Sequence, residues 1–301
     1  MCGIAGYFGQ GDQEILEKMT KTLRHRGPDD EGFYLADKVG LGHRRLAIID
    51  LSSAGHQPMS NEQKNIWLVF NGEIYNFREL RQELISQGYK FKSNSDTEVI
   101  INLYATEGVE AFKKLNGMFA LALYDAHQDK LILARDRLGK KPLYWGIFGA
   151  TLIFGSELKA LLEHPVCRRE IDLESLNKYL LYEYVPTPRS IFKSVYKLEP
   201  GHYLSYDGQT VNKQKFWDIT FQLSIKNYEL SIQEAIKQLV VQINAAVKAR
   251  LVSDVPLGVF LSGGIDSSTI AYYAQQNSTR PVKTFSIGFK EESFDESRYA
   301  R

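Results

Sequence analysis

Cys2 directly follows the initiator methionine, and a small residue at position 2 lets that methionine be removed. The cysteine would then carry a thiol and a free α-amine on one carbon. A free thiol titrates at about 8.5 and an α-amine at about 7.7–8.0, so both exchange protons near neutral pH. The amine can take the thiol proton, directly or through a water, as an N-terminal nucleophile does. The thiolate would attack an amide carbon, form a thioester and release ammonia; water would then release the acid. The same placement is also what a gene that happens to start there would give, so other residues must decide.

Asn71-Gly72 lies between "IWLVF" and "EIYN". The pair is a favoured hairpin turn. It could equally offer the Asn71 amide and the Gly72 N–H as two donors to a developing oxyanion. Asp96 stands at the start of a helix, where the dipole favours an acid. Arg45, in "GHRRLAIIDL", has the planar fork that clamps a carboxylate, although an arginine at a strand edge is also simply solvated. Glu73 is equally ambiguous alone. In the C-terminal part, "LSGGIDSS" follows a strand and precedes a helix. Gly263 and Gly264 let backbone N–H groups turn toward an anion, and the helix N-terminus adds donors. Ser262, Ser267 and Ser268 add hydroxyls, and the Asp266 carboxylate suits Mg²⁺. A serine-capped glycine turn is the plainer reading. The loop is not a Walker A motif, because no lysine precedes the serines.

These residues need elements to hold them. Residues 3–8 read as a strand, and Ile15, Leu16, Met19 and Leu23 share one helical face. "RHRGPDDEG" reads as polar and turn-forming. The runs "VGLGHRRLAIIDL", "NIWLVF", "GMFALALYD", "KLILARD", "PLYWGIF" and "TLIFG" read as strands. Asn76 with Glu79, and Ser95 with Glu98, have capping-box spacing. Asp207-Gly208 signals a hairpin. An α+β domain with much antiparallel sheet follows. After about residue 213 the pattern changes. Ser231 with Glu234 opens a helix striped by Ile232, Ile236, Leu239, Val240, Ile243, Val247 and Leu251. "VPLGVFL" then reads as a buried strand, "STIAYYAQQ" as a helix and "VKTFSIGF" as a second strand. This is the start of a parallel α/β sheet.

Among the 301 residues, hydrophobic types are 44%, charged types 24%, and the net charge is +1. These values are those of a globular chain with no electrostatic case for nucleic acid or anionic membrane as partner. No run approaches the roughly 20 apolar residues of a membrane span, and no signal peptide is expected. Cys2 and Cys167 are the two cysteines, which fits a reducing cytoplasm; Cys167 reads as a packed residue.

Ten segments resemble the glutamine-hydrolysing asparagine synthetase family. They are "MCGIAG", "RHRGPD", "HRRLAIIDL", "FNGEIYN", "SDTEVI", "NGMFALALYD", "RDRLGKKPLYW", "SELKAL", "SDVPLGVFLSGGIDSS" and "FSIGF", in order from Met1 to Phe289. The resemblance implies a four-layer αββα N-terminal-nucleophile glutaminase domain over residues 2–212. A linker over 213–230 and the start of an ATP-pyrophosphatase-type α/β domain over 231–301 follow, the latter C-terminally truncated. It implies Cys2 as nucleophile and Asn71 with Gly72 as oxyanion hole. Arg45 would take the glutamine α-carboxylate, with Leu46, Ala47, Ile48 and Ile49 lining that pocket. Glu73 and Asp96 would take the amino end or the amide. Leu261 and Ile287 would border adenine and ribose, and Ser262, Gly263, Gly264, Asp266, Ser267 and Ser268 would hold pyrophosphate and Mg²⁺. The expected partners are glutamine, aspartate and ATP, and a homodimer is compatible with the reading. The expected reaction amidates aspartate through an adenylate, using ammonia from glutamine. A different carboxylate acceptor, or a piece that is a glutaminase alone, are the alternatives.

Overall fold

A computed structural model describes residues 1–219 and 230–301. They divide into two units, Met1–Ile219 and a second whose described part is 230–301.

The first unit is built on β1 (Gly3–Phe8), buried at every position. It can be apolar throughout because both of its faces are covered. Ile4 and Phe8 point into a core between two sheets, while Ala5 and Tyr7 point the other way, into a core under helices. The first sheet adds β2 (Asp30–Ala36) and β3 (Val39–Arg45). The second sheet starts with β4 (Met59–Ser60), β5 (Ile66–Ile74), β6 (Gly117–Asp125) and β7 (Lys130–Arg135). The chain returns to the first through β8 (Tyr144–Phe148), β9 (Thr151–Gly155) and β10 (Val195–Lys197), and to the second through β11 (His202–Tyr206) and β12 (Val211–Lys215). The orders are β10-β8-β9-β1-β3-β2 and β12-β11-β7-β6-β5-β4, antiparallel at every pairing.

Outside the first sheet, α1 (Gln13–Lys21) buries Leu16 and Met19. Outside the second lie α2 (Phe77–Ser86) and α3 (Asp96–Glu107), with the short α4 (Ala111–Lys114) beside them. The short α5 (Leu158–Leu162) joins the α1 core, and α6 (Leu173–Tyr182) starts at an Asp172 cap. The layers are therefore helix, sheet, sheet, helix. Cys167 packs into the helical core, and burial pushes its thiol up to about 11. The two sheets are also pinned by a hydrogen bond, in which buried His43 on β3 donates from Nε2 to the Phe70 carbonyl on β5 at 3.1 Å. Burial holds that imidazole down at about 3, so it is neutral at physiological pH.

Several expectations need correction. "RHRGPDDEG" is only partly turn: Asp30–Gly32 open β2, pairing with His43–Arg45. The run "VGLGHRRLAIIDL" is strand only as far as Arg45, and Leu46–Ile49 is loop. Neither expected capping box in this unit forms. Asn76 makes no cap bond, because its amide ties Lys114 and Asn116 to the end of β5. Ser95 caps Thr97, but the Glu98 carboxylate turns to the Lys92 and Ser93 amides. The Asp207-Gly208 hairpin is present: Asp207 accepts from the Gln209 and Thr210 amides, and Gly208 takes φ +96°. β12 runs through Lys215, into the stretch assigned to the linker, of which residues 220–229 lie outside the described residues.

In the second unit Ser231 and Glu234 do form a reciprocal capping box on α7 (Ile232–Ala249). β13 (Gly258–Phe260) and β14 (Lys283–Phe285) pair in parallel, flanking α8 (Ile265–Gln276), and a final turn, α9, spans Ser297–Ala300. β13 is not the buried strand expected, since Phe260 is 77% exposed. The α7 stripe is likewise largely exposed, with Val247 its buried member. Two strands and the described helices supply no layer over those faces.

Candidate active site

β5 delivers Asn71, Gly72 and Glu73 at its C-terminal end, beside the start of β1. Asn71-Gly72 is no turn. It sits inside an unbroken strand, opposite Ala120 and Phe119 of β6. A side chain at Gly72 would meet the Met118 carbonyl at 2.2 Å, so the close approach of β6 requires glycine there.

The backbone donors of this edge are apportioned. Phe70 N–H donates to Gln57 Oε1 at 2.7 Å and Ile74 N–H to Asp96 Oδ2 at 2.9 Å. Donors alternate along a strand with period two, so the Gly72 N–H lies on the same edge between them. Phe119, opposite, uses its own N–H and carbonyl on Asp136, on the far side. The Gly72 N–H is thus aimed away from β6. Beside it, the Asn71 Nδ2 donor is buried without a partner among the described residues.

Both face a cavity of about 320 Å³. Cys2, Arg45, Leu46, Ile48, Ile49, Asn71, Gly72, Glu73 and Asp96 all line it. Of the residues expected at a glutamine site, Ala47 does not; its N–H is held by Asp29 at 2.9 Å. Cys2 Sγ lies 3.6 Å from the Leu46 carbonyl and 3.4 Å from the Leu46 nitrogen. Burial pushes the thiol up, and the Leu46 contact and the N-terminal ammonium pull it back. Burial also lowers the N-terminal amine.

Arg45 is buried, and its guanidinium holds the carbonyls of Ile49, Asp50 and Ser52, which shapes the 46–52 loop around the cavity. Burial, reinforced by the Glu73 charge, raises the Asp96 carboxyl to about 7 despite the Ile74 bond. Burial raises Glu73 as well, against the pull of Lys141.

Three contributors escaped the sequence reading. Arg26 donates from Nε to the Cys2 carbonyl at 2.9 Å and from Nη1 to Glu157 at 2.9 Å. Burial works against the Glu157 charge, but bonds from Arg26, Lys159 and His25 hold that carboxyl down at about 2. Gln57 joins β5 to Thr97 of α3. Lys141, 4% exposed, reaches the cavity from the loop after β7. "RHRGPD" and "RDRLGKKPLYW" flagged two of these segments without singling out the residue.

In the second unit the loop 261–264 also has built geometry. Leu261 N–H donates to the Phe285 carbonyl at 2.8 Å, and the Ser262 and Ser267 hydroxyls lie 3.0 Å apart. Gly263 takes φ +83°, and an added Cβ would meet Tyr299 backbone at 2.4 Å. Leu261, Ser262, Ser267 and Ile287 line a cavity of about 350 Å³; Gly263, Gly264, Asp266 and Ser268 do not. Asp266 is exposed, and no group of three metal-ligating side chains occurs among the described residues. No described helix is long and apolar enough to cross a membrane.

Comparison with known proteins agrees with this division. The glutamine amidotransferase domain family matches residues 1–217, and the asparagine synthase family matches residues 238–301. The chain is 39% identical to asparagine synthetase [glutamine-hydrolyzing] 1 of Bacillus subtilis, over 100% of this chain and 48% of that protein. It is 38% identical to the putative asparagine synthetase [glutamine-hydrolyzing] 2 of Methanocaldococcus jannaschii, over 100% of this chain and 62% of that one. The chain thus spans about half the length of the curated relatives it matches. Among solved structures, glutamine phosphoribosylpyrophosphate amidotransferase from B. subtilis shares the fold, with TM-score 0.56, 18% identity and coverage of 97% of this chain and 68% of the other. With Cys2 directly before β1 and that family matched over most of its length, the chain belongs to the glutamine amidotransferase family, with the opening segment of an asparagine synthase domain behind it.

Proposed function

We propose that residues 1–219 hydrolyse glutamine at Cys2 and that the complete protein uses the ammonia to amidate aspartate. The observation that carries the reading is the partnerless Asn71 Nδ2, buried beside the Gly72 N–H in the cavity that holds the Cys2 thiol. Buried donors are normally satisfied, and one left open where charge develops is what an oxyanion hole requires. Removal of Met1 frees the Cys2 α-amine as base. Sγ attacks the amide carbon, the oxyanion settles on Asn71 and Gly72, and the nitrogen leaves as ammonia with the proton that the amine returns. Water then cleaves the thioester to glutamate. Arg45 takes the α-carboxylate, while Glu73 and Asp96 take the amino group.

The loop 261–268 is assigned to ATP, with its serines and the first-turn amides of α8 at the phosphates. Asp266 offers a single carboxylate. A magnesium ion there would draw most of its oxygens from the nucleotide, as such ions often do. Aspartate adenylation, a cytoplasmic setting and a homodimer remain parts of this proposal.

The test is amino-acid analysis after incubating the Met1-trimmed chain with glutamine, aspartate, ATP and Mg²⁺. Glutamate is the expected product of this chain. Asparagine in addition would show that the described second unit suffices, and no glutamate at all would overturn the reading.

A pH dependence follows from Asp96. Its carboxyl is protonated below about 7, and only the ionised form attracts the glutamine ammonium. KM for glutamine is therefore expected to fall as pH rises from about 6 to about 8. D96N should raise KM and flatten that dependence in initial-rate measurements.

A further inference from the structure

Lys141 is a buried cation with an unsuitable partner. Among the described residues its ammonium makes one hydrogen bond, to the Met1 thioether at 3.1 Å. A thioether is a weak acceptor, and a buried charge without a good partner is costly. The proposed reaction removes even that contact, because Met1 must leave.

The position is nevertheless built firmly. Asp136, 1% exposed, accepts from the N–H groups of Phe119, Leu138, Lys140 and Lys141. Arg135 donates to the carbonyls of Lys141 and Gly139, each at 2.7 Å. The loop is clamped from both sides, and the lysine is directed into the cavity that holds Cys2 and Glu73. Of the carboxylates nearby, Asp136 and Asp96 are engaged by backbone amides, whereas Glu73 has no hydrogen-bond partner among the described residues.

Resting on the glutaminase reading, we propose that Lys141 is a positioning residue: loss of Met1 frees its ammonium to pair with Glu73 and hold that carboxylate ionised for the amino group of glutamine. When Met1 leaves, the N-terminal amine passes to Cys2, while the other charged groups around the pair are unchanged. Asp96 and the N-terminal amine face Glu73, and Arg26, Asp136, Cys2 and that amine face Lys141. Arg45 acts on Cys2 from across the cavity.

The test is a carbon-13 titration of the Glu73 carboxyl in the trimmed chain without glutamine, in wild type, K141M and K141R. An opposite charge within a few ångströms lowers a carboxyl by about 1–3 units, so K141M should move the Glu73 midpoint up by at least about one pH unit, with K141R restoring it. In glutamate-release assays the loss in kcat/KM should fall on KM, roughly tenfold, and K141R should recover it. An unmoved Glu73 midpoint in K141M overturns the proposal. If K141M loses its cooperative melting transition, the reverse titration decides. E73Q must then lower the Lys141 Nζ midpoint, and an unmoved Lys141 overturns the pairing. The titrations need no turnover, so a chain that titrates as expected but releases no glutamate would sink the glutaminase reading alone.

Discussion

C2A is expected to abolish glutamate release from glutamine and to leave glutamine binding detectable by calorimetry. The two effects separate because the groups assigned to binding are not the cysteine. Arg45 and Asp96 are buried and held by their own bonds, to the 49–52 carbonyls and to the Ile74 amide. Removing one sulfur from the mouth of β1 leaves those contacts in place. What disappears is the covalent step, which splits a difficult amide hydrolysis into two easier ones. Loss of the nucleophile is expected to bring the rate down to the background given by the oxyanion donors, a fall of several orders of magnitude. Glutamate release from C2A at the wild-type rate would remove Cys2 from the mechanism. Failure of C2A to bind glutamine would move the thiol into the binding set.

N71A gives the second large effect, and it differs in kind. Ground-state glutamine places a neutral carbonyl near Asn71, whereas the tetrahedral intermediate places an oxyanion there. A donor kept free of other partners, as Asn71 Nδ2 is, gains most when the charge forms. The expected loss is about 10²–10³-fold in kcat, about 2.7–4 kcal/mol, with KM changed little. N71A also removes a buried unsatisfied polar atom, so the variant should melt no lower than a cavity of that size dictates. A fall in KM-limited binding with kcat preserved would assign Asn71 to substrate recognition instead.

Much of the first unit was legible because its chain is strongly periodic. "GMFALALYD" and "TLIFG" coincide with β6 and β9 to the residue. The Asn71-Gly72 pair was ambiguous for a physical reason. Asn-Gly turns a hairpin only where the partner strand follows at once, and here the partner of β5 is Gly117–Asp125, across the intervening α2, α3 and α4. Nothing local distinguishes the two cases. Arg26, Gln57 and Lys141 were illegible for a related reason. Each meets the site through a loop, from a segment whose sequence is polar and turn-forming. The stripe of α7 shows the opposite limit: its periodicity and capping box fix a helix and a face, but not what, if anything, covers that face.

Asp136 has a further consequence. One carboxylate gathers amides from β6 and from the 138–141 loop, and its own backbone adds Phe119, Gly139 and Gly201. In the language of native-state exchange, these groups form a single opening unit. The strand that lies against Gly72 and the loop that carries Lys141 cannot loosen separately. The strand backing Gly72 and the loop carrying Lys141, which line one cavity, are therefore protected, or lost, together.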